Sequence, residues 1–452
     1  MARRRTLTAL MLPQFMVVVN LAMVNVAIPA IRDTFSAPAD LVAWVVTIYT
    51  LPYVAFMPLY GRLGDDLGIP RMLAVACAVF LAGTGINTVA TGLPLLLLGR
   101  FVQGAGASGV VPLAIAMIWR AFPSESRGDA LGQWNAVGPI GAVSGGLAGG
   151  LIIEGLGWRS VFFLPVIAAI VALSQVRKLG DTTPRSHGLG RFDWAGVALL
   201  SLSLAALLLY VSSSTVTGRP ALTDWRLLLV TLALLSAFVW RERTAPAPFV
   251  DLGILRDDSL VKASLCGAMR MFVMSCTVFL TPLFLADVKH QSAAAIGVIS
   301  TVHSAGLFPT MYFGGRIADR WGSRRPIVIG MGAQVISILL LIATAGSAGA
   351  TWVIVARLLQ GLGAGLALPA MHRAAMAGSD DDTGGAAAGL YSMIRFCGML
   401  LGTAAAGVLL QALLDNGSGV LVSYQVTYSV TAAVALLSVI TALTLRQDSA
   451  TS

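Results

Sequence analysis

The sequence predicts an all-α polytopic membrane protein of fourteen transmembrane helices, arranged as two pseudo-symmetric six-helix bundles plus two extra helices. Three observations lead there. The 452 residues are 57% hydrophobic and only 11% charged, with a mean hydropathy of +0.82, which no soluble packed domain matches. Apolar runs of membrane length, roughly 20 residues, recur from end to end. One polar stretch occurs twice, GRLGDDLGIPR at 61–71 and GRIADRWGSRR at 315–325, each time between two apolar runs. An internal repeat separated by more than half the chain and set among spans marks a transporter built from two similar halves.

Taken in order, the first bundle covers residues 1–176 and needs six spans, at 7–30, 42–60, 72–90, 93–118, 129–153 and 161–176. The first follows the triplet Arg3-Arg4-Arg5. No small-residue cleavage site ends a short apolar core there, so it reads as a helix entered from the cytoplasm and not as a signal peptide. Two shorter runs, 194–211 and 225–240, occupy the middle segment 177–258, flanked by linkers at 180–191 (GDTTPRSHGLGR) and 241–258 that are polar or proline-rich. The last six runs, 260–286, 293–313, 327–345, 352–371, 386–412 and 420–445, build the second bundle, 259–452. No connection is long enough for a large soluble domain.

Charge placement supports this count, because cytoplasmic loops concentrate Arg and Lys. Alternate connections hold Arg62 and Arg71, Arg120 and Arg127, Arg177 with Lys178, Arg241 with Arg243, the arginines of 316–325, and Arg373. The opposite set holds few, Arg32, Arg159, Arg219, Arg226 and Lys289, mostly beside acids. Both termini are therefore expected in the cytoplasm of a multi-pass inner-membrane protein. The net charge of +9 comes almost wholly from arginine, with lysine only at 178, 262 and 289. Its position in short loops orients a protein in a bilayer and does not indicate a nucleic-acid partner. Cys77, Cys266, Cys276 and Cys397 lie inside apolar runs without metal-ligand spacing and read as small core residues.

In the repeated stretch, glycines permit a tight reversal, and an Asp near a helix end can accept backbone N–H groups or pair with Arg. Its pattern resembles the loop between helices 2 and 3 of the major facilitator superfamily. Gly61, Leu63, Asp65, Gly68 and Arg71 fit in the first copy, with Asp66 where that family has Arg; Gly315, Asp319, Arg320, Gly322, Arg324 and Arg325 fit in the second. The resemblance implies a latch on the cytoplasmic side, with Arg127 at the position of its usual partner. It also implies the major facilitator fold, with a substrate site near the midplane between bundles, reached by alternating access.

The fourth span carries Arg100, Gln103, Gly104, Gly106 and Pro112, and the twelfth repeats the set as Arg357, Gln360, Gly361, Gly363 and Pro369. An intramembrane Arg is a functional candidate by default, the bland alternative being a side chain that snorkels to the headgroups. The set resembles the superfamily's helix 4 signature, linked there to substrate or proton handling. The fifth span is a glycine ladder, Gly132, Gly141, Gly145, Gly146, Gly149 and Gly150. Small residues let backbones approach closely, as a seal or hinge or simply as helix packing. The spacing is similar to the superfamily's antiporter signature, with Gly146 in place of Pro.

The count of spans and the sequence Val24-Asn25-Val26-Ala27-Ile28-Pro29 resemble the fourteen-helix drug:proton antiporter branch, whose members include multidrug and antibiotic exporters. That branch has an Asp five residues before Asn25, where this chain has Asn20. An amide hydrogen-bonds but does not titrate. Proton coupling would then need another group, and His303 in the tenth span titrates near physiological pH unless it is a neutral bonded histidine of the bundle. Arg270 in the ninth span and Arg395 in the thirteenth join Arg100 and Arg357 as intramembrane cations. Unless helix carbonyls satisfy them, they favour an anionic or electron-rich substrate over a lipophilic cation.

The expected function is export of a small amphiphilic drug, antibiotic or metabolite by a proton-coupled monomer in the lipid bilayer. It needs no cofactor beyond a proton gradient. Asn20, Asn25, Arg100, Gln103, Arg270, His303, Arg357, Gln360 and Arg395 are the expected cavity residues. Asp65, Arg71, Arg127, Gly315, Asp319 and Arg320 belong to the latch with Gly61. The alternatives are an uncoupled facilitator or lipid carrier, and a transporter-derived sensor that does not cycle. No nucleophile elbow, metal cluster or phosphate loop points to an enzyme.

Overall fold

A computed structural model describes residues 2–179, 193–219, 224–245, 252–378 and 384–445. The linker expected at 180–191 lies outside the described residues, as do 246–251 of the second linker and the side chain of Asp319. The described residues are predominantly helical and contain no strand. In chain order the α-helices are α1 (Ala2–Phe35), α2 (Ala39–Ala55), α3 (Met57–Leu67), α4 (Ile69–Thr88), α5 (Leu93–Ala107), α6 (Val110–Ala121), α7 (Ser124–Leu156), α8 (Phe163–Val176) and α9 (Trp194–Val211). They continue with the single turn α10 (Ser213–Thr217), α11 (Trp225–Thr244), α12 (Asp258–Asp287), α13 (Ala293–Trp321), α14 (Arg324–Ala343), α15 (Thr351–Met376), α16 (Gly384–Asp415) and α17 (Val420–Leu443).

Several helices outrun the apolar windows that announced them, since a helix continues through polar residues once it leaves hydrocarbon. The first copy of the repeat is the clearest correction. It is not a loop: Gly61 to Leu67 are helical, and α3 prolongs α2 after a bend of 42°. Pro58 has no N–H for the Val54 carbonyl one turn back, which accounts for the bend. The reversal falls on Gly68 alone, with φ at 95°, and on its counterpart Gly322, with φ at 74°. Both are in the region that favours glycine. The expected span 93–118 is likewise split at Ser108 and Gly109, because Pro112 leaves the Ser108 carbonyl without its helical partner.

The expectation of fourteen spans is met in part. Among the described residues, twelve helical segments are long and apolar enough to cross a membrane, and the bent pair α2 and α3, taken as one span, makes thirteen. Helix α11 falls short because Arg226, Arg241, Glu242 and Arg243 crowd its ends. The 14 uncharged residues between them, 227–240, span about 21 Å at 1.5 Å per residue, less than a hydrocarbon core of about 30 Å. Trp225 and Trp240 nevertheless lie exposed at either end of that stretch, where interfacial tryptophans sit.

The chain divides into two compact units, Met1–Ala37 with Trp44–Leu207 and Arg226–Phe249, and Pro38–Ala43 with Leu208–Trp225 and Val250–Ser452. Within the first, α1 packs along α7 and α8, and α4 along α5 and α8. Within the second, α12 packs along α16 and α17, and α14 along α15 and α17. The repeat seen in sequence is thus repeated in packing. Small residues permit it: Gly106 lies against Ala76 and Phe80, and its equivalent Gly363 against Gly330 and Ala333. In the first unit, Asp193 caps α9 through the Gly196 N–H at 3.0 Å and accepts from Arg241 Nε at 3.0 Å, closing the base of the α9–α11 hairpin.

Candidate functional site

In the first unit the expected residues converge on Arg100. Helix α5 turns it inward one turn before Gln103, and both are fully buried. The Arg100 guanidinium donates from Nη1 to Asn20 Oδ1 at 3.0 Å and to Gln103 Oε1 at 2.5 Å, and from Nε to the Val45 carbonyl at 2.9 Å. Its Cζ lies 4.1 Å from the ring centre of Tyr49. Gln103 donates in turn to Thr84 Oγ1 at 2.8 Å and accepts from Asn87 Nδ2 at 3.2 Å. No carboxylate pairs with Arg100 among the described residues. Neutral amides, a carbonyl and an aromatic face compensate the buried charge. Some capacity stays open: Arg100 Nη2, Asn20 Nδ2 and the Tyr49 hydroxyl are buried without a partner. Asn25, five residues along α1 from Asn20, is also buried, with Oδ1 unpartnered.

The second unit repeats the core of this arrangement with different surroundings. Arg357 Nη1 donates to Gln360 Oε1 at 2.5 Å, and Gln360 Nε2 donates to Thr277 Oγ1 of α12 at 3.0 Å. His303 takes the place of Tyr49. The Tyr49 carbonyl faces Gly104 and the His303 carbonyl faces Gly361, and no side chain would fit at either glycine. His303 is 5% exposed, and neither ring nitrogen has a partner. Arg357 and Arg270 both act on it electrostatically.

Arg270 sits on α12 at 2% exposure, with Nε unpartnered. Arg395 of α16 lies within 3.0 Å of His372 Nε2 and over the rings of Tyr391 and Phe396, at 5.5 and 4.8 Å. Arg270 and Arg395 both act on His372 and Tyr391. The second unit therefore gathers three arginines and two histidines, and no Asp or Glu is paired with Arg270, Arg357 or Arg395 among the described residues. Sequence reasoning missed Tyr49, Thr84, Asn87, Thr277 and His372. The neutral residues carry no signal that sets them apart; His372 could have been noticed as one of only four histidines, next to Arg373.

The latch residues separate into those with partners and those without. Asp65 Oδ1 accepts from Arg120 Nη2 at 2.5 Å. Arg127 instead donates from Nε to the Phe122 carbonyl at 3.1 Å and stacks 4.7 Å from the Trp119 ring. Asp66, where the family pattern has Arg, pairs with Arg62 at 3.4 Å. Gly61 meets only Pro112, and Gly315 has open space beside it. Arg71 and Arg320 are exposed, and Arg373 donates to the Ala318 carbonyl at 3.0 Å, next to Asp319. Of the glycine ladder, Gly141, Gly145 and Gly149 face Val18, Val19 and Met23 of α1. Gly150 is buried, and Gly132 faces open space.

The profile of the Major Facilitator Superfamily matches residues 10–241 and 263–452. The chain belongs to the Major Facilitator Superfamily. Members of this superfamily are transporters, so the protein is a multi-pass membrane transporter of small molecules and not an enzyme. The multidrug resistance protein Stp of Mycobacterium tuberculosis is 30% identical over 91% of this chain and 76% of its own length. The drug efflux pump JefA of the same species is 29% identical over 91% of this chain and 81% of its own length. The crystal structure of a D-xylose–proton symporter superposes with a TM-score of 0.73, covering 98% of both chains at 12% identity. That last likeness establishes the major facilitator fold.

Proposed function

We propose that this superfamily member is a secondary active exporter of a small amphiphilic drug, antibiotic or metabolite. It acts by alternating access in a bacterial cytoplasmic membrane, as a monomer with both termini cytoplasmic. On this proposal it belongs to the fourteen-helix drug:proton antiporter branch, with α11 as the short fourteenth span. The names of the relatives Stp and JefA support the direction of transport. The observation that carries the substrate class is the set of three arginines in the second unit, Arg270, Arg357 and Arg395, around His303 and His372, with open hydrogen-bonding capacity and no acid paired with these arginines among the described residues. A buried charge without a paired acid favours a ligand that brings negative charge or an electron-rich ring.

Proton coupling is the first reading; it would need His303 or His372 to gain a proton as an anionic substrate offsets the neighbouring arginines. A second reading, an uncoupled facilitator, is favoured by the amide of Asn20 on Arg100. Reconstituted protein assayed with and without an imposed proton gradient separates them. Gradient-driven transport supports the antiporter, and transport indifferent to the gradient contradicts it.

A further inference from the structure

Two cavities outside the central clusters occupy equivalent places in the two units. The first, about 330 Å³, lies where the start of α4 meets the end of α8, with Arg71 and Arg177 at its rim and Val75 and Val176 in its wall. The second, about 450 Å³, lies where the start of α14 meets the end of α17, with Arg324 and Arg325 at its rim and Ile329 and Leu443 in its wall. Arg71 and Arg325 end the two copies of the repeated stretch. None of the four arginines forms an ion pair with a described residue. Arg71, Arg177 and Arg325 are exposed. The walls are open to the outside of the bundle: Val75 is 42% exposed, Ile329 50% and Leu443 47%. Trp321, 48% exposed, also lines the second cavity.

A pair of guanidiniums above a strip of exposed aliphatic side chains matches one amphiphile with a phosphate at one end and hydrocarbon at the other. Arginine forks hold phosphate oxygens in bidentate fashion. Basic pockets between helix ends on the cytoplasmic side meet a leaflet rich in anionic headgroups. A soluble phosphate would use the rim and leave the apolar wall uncovered. We propose that each unit carries a lateral site for an anionic glycerophospholipid, its phosphate on Arg71 and Arg177 in one and on Arg324 and Arg325 in the other, with an acyl chain along the adjoining wall. The sites rest on the membrane orientation given above and not on the export reading. The second copy of the repeated stretch thereby holds lipid as well as forming a turn.

Native mass spectrometry of the full chain, stripped of lipid and titrated with phosphatidylglycerol or phosphatidylcholine, tests this without a transport assay. The expected result is up to two phosphatidylglycerol molecules retained at least tenfold more strongly than phosphatidylcholine. Arg71→Gln with Arg177→Gln should remove one, and Arg324→Gln with Arg325→Gln the other. Val75→Trp, which keeps every charge, should block the first site, so a folding defect of the arginine variants does not decide the matter. Excess glycerol phosphate should not displace the lipid. Equal retention of the two lipids, unchanged binding in the variant lacking all four arginines, or displacement by glycerol phosphate would each overturn the proposal.

Discussion

At the residue scale, Arg100 and Asn20 decide how the first unit handles charge. The sequence already placed both in spans, but it did not pair them. The structure makes Asn20 an acceptor for Arg100, so an acid there would form a buried ion pair in place of a neutral hydrogen bond. Asn20→Asp should therefore introduce or strengthen pH dependence of transport; a transport rate with the wild-type pH profile would remove Asn20 from the coupling position. Arg100→Lys should lower the thermal midpoint measured in detergent. An ammonium cannot serve Val45, Asn20 and Gln103 from one plane, and each buried group left unpartnered costs about 1–3 kcal/mol. An unchanged midpoint would mean that the fork geometry is dispensable. His303 was legible as a buried histidine, whereas its equivalence with Tyr49 was not, because the two residue types share nothing that a repeat search compares. Only the facing glycines, Gly104 and Gly361, reveal it.

Helices show where sequence patterns stop informing. Apolar length located nearly every span, yet it ended the second span at Tyr60 and missed that α3 runs on through the repeated stretch to Leu67. Glycine content marked α7 as a close-packing helix, but it could not say which glycines touch a neighbour. The structure divides them. Gly145 lies against the Val19 backbone and Ala22, whereas Gly132 has nothing within 4 Å of an added Cβ. Gly145→Val should sharply reduce folded protein recovered from membranes, since the α1–α7 approach must open. Gly132→Ala should be tolerated, or stabilise by up to about 1 kcal/mol through helix propensity, unless Gly132 acts as a hinge. In that case transport should fall while the thermal midpoint holds. The repeated stretch was legible as a motif, while the partner of its Asp65 was not: Asp65 takes Arg120 and not Arg127, a choice made by the helical path of α3 and α6.

For the whole molecule, the repeat was the most informative feature of the sequence, and it reappears as matched helix pairings in the two units. The count of spans was less secure, because α11 trades apolar length for charged ends. What separates the units functionally is their charge. The first buries one arginine among neutral acceptors, and the second buries two, Arg270 and Arg357, with the partly exposed Arg395 acting on the same histidine, His372, as Arg270 does. The account depends most on Arg270, whose position has no acid to justify it. The direct measurement is efflux from proteoliposomes of an anionic amphiphilic dye and of a lipophilic cation of similar size, with wild-type protein and Arg270→Gln. The account predicts faster efflux of the anion by the wild type, and at least a tenfold loss for the anion in a variant that remains folded. Preferential efflux of the cation, or an unaltered anion rate in Arg270→Gln, would contradict it.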